Sequence, residues 1–293
     1  MKAFANYHPA VLLAYFLSVI SVEMFAVNPV FQISALLGGI LFCCMLSKRS
    51  EAAGSIGFYI PMFLLVAITN PLFSHNGVTP LFFLNGNPVT LEAFVYGAAI
   101  AVTVIGVMLW CKCFGKIMTS DKFLYLFGKV IPKLSLVLSM ALRFIPMLLR
   151  RRRKVSEAQK AMGMYSGKGF TDRLHRTAGV FMAMISWSFE NAMETSASMK
   201  ARGYGLPGRT NFSLFKLRKT DILLLGISVC LLSLSLAAVA AGDSTFYYYP
   251  RISGLGASPL AIAAYSAFAL LSFLPFIIET REALVWKYFI SKI

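Results

Sequence analysis

Apolar and polar positions are segregated in long blocks along this chain. Six apolar runs reach or approach the length of a membrane span: residues 10–27, 30–46, 56–73, 91–111, 222–241 and 257–278. A span needs about 20 residues, with about 17 the lower limit, and a backbone inside lipid satisfies its own polar groups by forming helix. All six are read as transmembrane helices. Asn28-Pro29 between the first two is a tight-turn signal, so they form a helical hairpin. Residues 74–88, rich in Gly, Asn and Pro, form a loop on the far side, whose apolar centre Leu81-Phe82-Phe83-Leu84 can dip into the membrane interface.

Between the fourth and fifth runs the pattern changes. Asp121 is placed to cap a short amphipathic helix through Val130. Pro132 suits the first turn of the next helix. Residues 134–149 are strongly apolar but interrupted by Arg143 and Pro146. They read as a helix at or in the inner membrane face, kinked near Pro146. It continues to Met162 and stops at Gly163. Thr171 is placed to cap a second long helix ending near Arg202. On it Leu174, Ala178, Phe181, Ile185, Phe189, Ala192 and Met199 make one stripe, expected to be buried against the preceding helix. Each arm is about 30 residues, or about 45 Å if straight. Lys160-Ala161-Met162-Gly163 closes the first arm and Lys200-Ala201-Arg202-Gly203 the second.

Composition agrees with lipid as the solvent. Of 293 residues, 58% are hydrophobic and 14% charged, against about 25% charged in soluble domains. The net charge is +16. If the six runs alternate, every Lys and Arg except Arg251 falls on one side. By the positive-inside rule that side is cytoplasmic and holds both termini. The fold expected is all-α and polytopic. Residues 1–111 supply four transmembrane helices, 112–220 a basic cytoplasmic or interfacial hairpin, and 221–293 two more helices and a cytoplasmic tail.

Candidate chemistry is sparse. Arg150-Arg151-Arg152-Arg153-Lys154 follows an apolar segment and reads as an inner-leaflet anchor rather than a nucleic-acid site, since no base-reading module accompanies it. Glu23 reads as a headgroup-level residue near a helix end, with an intramembrane ion site as the rarer alternative. His75 has no ligating company, Cys111 and Cys113 are a poor metal pair, and the five cysteines form no disulfide framework. Gly203-Tyr204-Gly205-Leu206-Pro207-Gly208 matches a dinucleotide fingerprint in letters only: a helix precedes it and a turn follows. No phosphate-binding loop occurs. Neither enzymatic activity nor a cofactor is expected.

The two helix ends are different. A glycine just past a last turn accepts the left-handed conformation that ends a helix. The residue before it is then held on a rigid terminus. Arg202 can there enter a cleft of carbonyls and carboxylates on a partner, or satisfy its own helix's carbonyls; spacing leaves both open.

Ser198-Met199-Lys200-Ala201-Arg202-Gly203-Tyr204-Gly205, followed by Pro207-Gly208-Arg209, resembles the transmembrane T component of energy-coupling factor transporters, a family that includes the cobalt-transport permeases. Glu157-Ala158-Gln159-Lys160-Ala161 extends the resemblance, as do His8-Pro9 and Asn70-Pro71-Leu72-Phe73-Ser74. The resemblance implies a non-catalytic permease subunit of the cell membrane. It joins a substrate-binding S subunit to two cytoplasmic ABC-type ATPases and serves uptake of a vitamin or metal ion. The coupling residues it implies are Ala161, Met162 and Gly163 on one end and Ala201, Arg202 and Gly203 on the other, supported by Lys160, Lys200 and the Arg150–Arg153 cations. Met162 stands where the family pattern has its first arginine. Lys160 or Lys168 is positioned to supply that cation, or the contact there is apolar. Two other readings are a scaffold or receptor with a basic partner site, and a stand-alone secondary transporter.

Overall fold

The computed structural model describes residues 3–47, 49–74, 77–84, 87–163, 169–207 and 215–290. Its elements are α1 (Pro9–Phe25), α2 (Pro29–Leu46), α3 (Arg49–Phe73), β1 (Pro80–Leu84), β2 (Asn87–Thr90), α4 (Leu91–Ile117), α5 (Ser120–Val130), α6 (Pro132–Ala161), α7 (Phe170–Ala201), α8 (Lys219–Ala240) and α9 (Pro259–Ile290). All six apolar runs are helical. Among the described residues α2, α4, α6, α8 and α9 are long and apolar enough to cross a membrane, while α1 and the Gly57–Phe73 part of α3 are apolar but shorter. The protein is an all-α polytopic membrane protein.

Two compact units divide the chain. One comprises Met1–Phe123 with Phe215–Ile293, the other Leu124–Leu214.

In the first unit the turns are fixed by side-chain caps. Asn28 is buried and accepts a bond from Val30 N at 3.0 Å. Its amide donates to Ser244 O at 2.9 Å, so one residue starts α2 and ties down the loop after α8. Asp221 does the same at the other end. Its carboxylate accepts from Arg218 N at 2.8 Å and from His8 N at 3.2 Å, which joins the starts of α1 and α8. Lys122, also buried, donates to Ile117 O at 3.1 Å and to Ala5 O. Phe4 N donates to Glu279 at 3.0 Å.

These contacts set helix direction. Gln32 bonds Thr103 and Lys116 bonds Ser47, so α2 and α4 run parallel. Phe31 packs on Tyr265 and Phe268 while Gly38 meets Ser272, so α2 and α9 also run parallel. Asn70 bonds Ala93 O and Ala67 meets Gly97, so α3 and α4 are antiparallel. Such directions agree with α2, α4 and α9 crossing one way and α3 the other.

The core is aromatic at one level. Phe4, Tyr15, Phe16, Phe42 and Trp110 meet edge to face or tilted, with centroids 5.3 to 6.3 Å apart. The polar tips are satisfied: Trp110 donates to Ala35 O at 3.0 Å and Tyr15 to Leu271 O at 2.7 Å. Elsewhere small residues let backbones meet, as expected where lipid gives helices no hydrophobic reason to associate. A Cβ on Gly38 would lie 2.7 Å from Ser272 O, and one on Gly97 2.6 Å from Ala67 O. Gly38→Ala is therefore expected to cost about 1–3 kcal/mol by overpacking. The measurement is the thermal unfolding midpoint in detergent, and an unchanged midpoint would show that α2 and α9 do not approach this closely.

Several expectations are corrected here. Glu23, read as a headgroup-level residue near a helix end, is fully buried within the bundle: both carboxylate oxygens lack a hydrogen-bond partner, and it lies against Gly106 of α4. The loop after α3 holds an antiparallel β-hairpin, Pro80–Leu84 with Asn87–Thr90, because aromatic Phe82 and Phe83 and β-branched Val89 and Thr90 favour extended backbone there. Helix α9 runs to Ile290, so Arg281 and Lys287 extend a helix instead of forming a tail. Asp121 sits in the first turn of α5 rather than capping it. Gly169, not Thr171, occupies the N-cap of α7, and Phe170 begins the helix. His75 and Lys168 lie outside the described residues.

Outside the helices, Tyr248 has a buried hydroxyl without a partner. Burial, and secondarily Tyr96, pushes its phenol up to about 12.

Candidate partner-binding site at two helix ends

The second unit is built on α6 and α7. Helix α6 starts at Pro132 in its first turn and runs unbroken through Pro146 to Ala161. Phe144 and Arg151 of α6 both meet Trp187 of α7, the ring at 6.3 Å and the guanidinium at 5.5 Å from the indole centroid. A guanidinium over an indole face is attracted by the ring's quadrupole. The N-terminal half of α6 (Leu136, Met140, Met147) lines one cavity with the C-terminal end of α7 (Asn191, Met199, Tyr204). The two helices are therefore antiparallel.

Of the stripe expected to face α6, Met199 does so and most of the rest does not. Leu174, Phe181 and Phe189 are 58%, 62% and 68% exposed. The face turned to α6 is Met184, Trp187, Ser188, Asn191, Thr195 and Met199. Helix α7 carries apolar side chains on two faces, and a seam anchored by one indole and a guanidinium uses the more polar of them. Periodicity reports a stripe but not which neighbour covers it. The signal for the true seam was Trp187 with Ser188, Asn191, Thr195 and Ser198 at helical spacing.

The ends of the arms carry the motifs. At the second, Gly203 has φ +81°. Gly203 N donates to Lys200 O at 3.0 Å and Tyr204 N to Met199 O at 3.0 Å, the paired bonds of a Schellman cap. Arg202 N donates to Ser198 O at 3.1 Å. The last carbonyls are thus met by backbone amides. Arg202 is not needed to cap its own helix, and its side chain is exposed. Gly205 follows with φ +100°, so the glycine-rich letters form a turn after a helix.

At the first end, Gly163 has φ +68° and its N donates to Lys160 O at 3.1 Å. Met162, held at this end as Arg202 is at the other, is 67% exposed. Ala161, Lys160, Ala201 and Lys200 are exposed as well. Arg150, Arg152 and Arg153 are exposed on α6, while Arg151 turns to Trp187.

Because the arms are antiparallel, the structure does not bring the two motifs together. Arg202 lies beside the N-terminal half of α6, and Met162 is some 26 residues farther along it from Leu136, roughly 40 Å at 1.5 Å per residue. One small pocket cannot hold both.

Among the described residues no group of three or more His, Cys, Asp or Glu is placed to hold a metal ion.

Fold and helix ends together define a polytopic helical membrane protein with a cationic helical hairpin. Its family follows from comparison: the CbiQ family, described as cobalt transport protein, matches residues 6–212, and the chain belongs to that family. It is similar to the energy-coupling factor transporter transmembrane protein EcfT of Listeria innocua, 40% identical over 104 residues, which is 34% of this chain and 38% of that protein. Against the protein of the same name from Lactobacillus helveticus, identity is 32% over 117 residues, covering 39% and 42% of the two chains. A longer match, 24% identical over 189 residues, covers 60% of this chain and 43% of the uncharacterized protein MG181 of Mycoplasma genitalium. The matched stretches span about two fifths of the length of these relatives.

Proposed function

We propose that this chain is the transmembrane component of an energy-coupling factor importer. It transmits ATP-driven movement of two cytoplasmic ABC-type ATPases to a membrane-embedded S subunit that binds a vitamin or metal ion. Both termini and the α6–α7 hairpin lie on the cytoplasmic side of the cell membrane, and the Arg150, Arg152 and Arg153 cations face the anionic inner leaflet. The chain itself hydrolyses nothing.

The observation that carries this reading is Arg202. Its guanidinium sits on a helix end already capped by backbone bonds, so its donors are free for a partner. A planar, permanently charged fork of donors suits a groove of carbonyls and carboxylates. The wide separation of the two motifs supports two ATPases gripped separately. At the first end Met162 offers an apolar contact with Lys160 beside it. The outward apolar row on α7 supports a contact with the S subunit.

The test is purification of the tagged full chain in mild detergent, with companions identified by mass. Two ATPase chains and a small membrane protein are expected. Recovery of the chain alone, or with proteins lacking a nucleotide-binding domain, overturns the proposal.

One observation favours a second reading. Glu23 is a buried carboxyl without a partner inside the bundle, the kind of group an ion-coupled secondary transporter uses. Uptake that persists in cells lacking the ATPases would select it.

A further inference from the structure

The notch between α6 and α7 is a cavity of about 670 Å³. That is the size of a small-molecule site, about 300–1,000 Å³. One wall is apolar: Leu136, Met140, Phe144, Met147 and Met199. The other is polar and rich in donors. Arg143 and Arg202 reach it from the two helices, and the Asn191 amide nitrogen is buried with no acceptor. Glu194 is the single carboxylate lining it. Among the described residues neither guanidinium has a carboxylate within ion-pair distance.

The location of Arg143 narrows the ligand. Helix α6 is apolar enough to cross a membrane, and none of its apolar window is buried within the protein. Leu134, Val137, Leu138, Ile145 and Leu149 are all exposed on it. A cation set in such a segment is stable only beside an anion or water. The chain supplies a free amide donor beside it and no paired carboxylate. The cavity thus opens at a helix whose own surface demands lipid, with anion-binding donors on one side and methionines, which adapt to irregular apolar shapes, on the other.

We infer that this notch binds one anionic phospholipid, its phosphate on Arg143 and the Asn191 amide and an acyl chain along Met140, Met147 and Met199, with the Arg202 guanidinium left to its partner. The lipid fills the wedge between the arms and braces the α7 end that carries Arg202. Binding needs neither the ATPases nor the S subunit, so it can be measured on the chain alone, and it can fail while the coupling role stands.

The experiment is native mass spectrometry of the full chain released from detergent micelles. Phosphatidylglycerol, phosphatidylcholine and inorganic phosphate are supplied in turn. One phosphatidylglycerol is expected to remain bound at concentrations where phosphatidylcholine does not. Arg143→Gln combined with Asn191→Leu should weaken retention at least about tenfold, as loss of bonds to a charged group does. Arg143→Lys, which keeps the charge, should recover part of it, and Arg173→Gln, on α7 outside the notch, should change it less than about twofold. Equal retention of both lipids overturns the proposal. So does an equal loss in Arg173→Gln, which would mean unspecific attraction to a basic surface. Displacement of the lipid by millimolar phosphate would make the notch a free-anion site and overturn it too. Lipid binding seen only when an ATPase is absent would assign the notch to a protein partner instead.

Discussion

Arg202→Glu is expected to abolish ATP-dependent uptake while leaving the protein in the membrane at its normal level. Two effects add. The guanidinium's charged hydrogen bonds to a partner are each worth about 1.5–3 kcal/mol, so losing one lowers the populated coupled state about tenfold or more. The new carboxylate would then be repelled by the carbonyls and carboxylates of the proposed partner groove. Helix stability changes far less. A cation at a helix C-terminus contributes about 0.3–1 kcal/mol, and the Schellman bonds at Gly203 and Tyr204 do not use the side chain. Arg202→Gln separates the two effects: it keeps the shape, drops the charge and is expected to retain some uptake. At the other tip Met162→Ala is expected to cost less than Arg202→Gln, because a methionine makes no directed bond. The measurement is substrate uptake in cells expressing the complete transporter, normalised to membrane-inserted chain. Transport at the wild-type rate in Arg202→Glu would end the coupling role.

How far the sequence reached depends on the kind of signal. The apolar helices were legible because lipid imposes one requirement on every residue of a run and an unbroken apolar window reports it, though α6, read as lying at the membrane face, is also long and apolar enough to cross while α1 is shorter. The arm ends were legible for a similar reason. Gly163 and Gly203 take positive φ, which only glycine adopts freely, so the letter states the geometry. Contacts were not legible. Leu174, Phe181 and Phe189 gave the cleaner amphipathic stripe, yet Trp187 with Arg151 and Phe144 forms the seam. In a membrane protein an apolar face has two possible destinations, lipid or protein, and hydrophobicity does not distinguish them. The same ambiguity hid Glu23. Two residues from the end of α1 it looks peripheral, but α4 is ten residues longer than α1. The end of the shorter helix therefore lies beside the interior of the longer one, at Gly106.

That pairing gives the second large effect. A Cβ added to Gly106 would overlap Glu23 Oε1. No rotamer adjustment of a few tenths of an ångström relieves such an overlap, so either the carboxyl leaves its place or α1 and α4 part. Overpacking of this kind costs about 1–3 kcal/mol; every atom met belongs to the end of the Glu23 side chain, so the cost is that of turning the carboxyl aside between helices that Phe16, Trp110 and Phe114 hold together one to two turns away. Gly106→Ala is therefore expected to lower the unfolding midpoint in detergent and the yield of monodisperse protein. Glu23→Gln, which preserves shape, should stay within about 1.5 kcal/mol of the parent, as isosteric swaps do. The decisive comparison is Gly106→Ala placed on Glu23→Ala. With the carboxyl gone the added methyl has room, so its cost should fall by about 0.5–3 kcal/mol, the coupling seen between residues in contact. Additive costs, or a harmless Gly106→Ala in the parent chain, would mean that Glu23 does not occupy the notch at Gly106. The Glu23 carboxyl would then lie elsewhere, facing lipid or a water-filled path, and the ion-coupled reading would gain support.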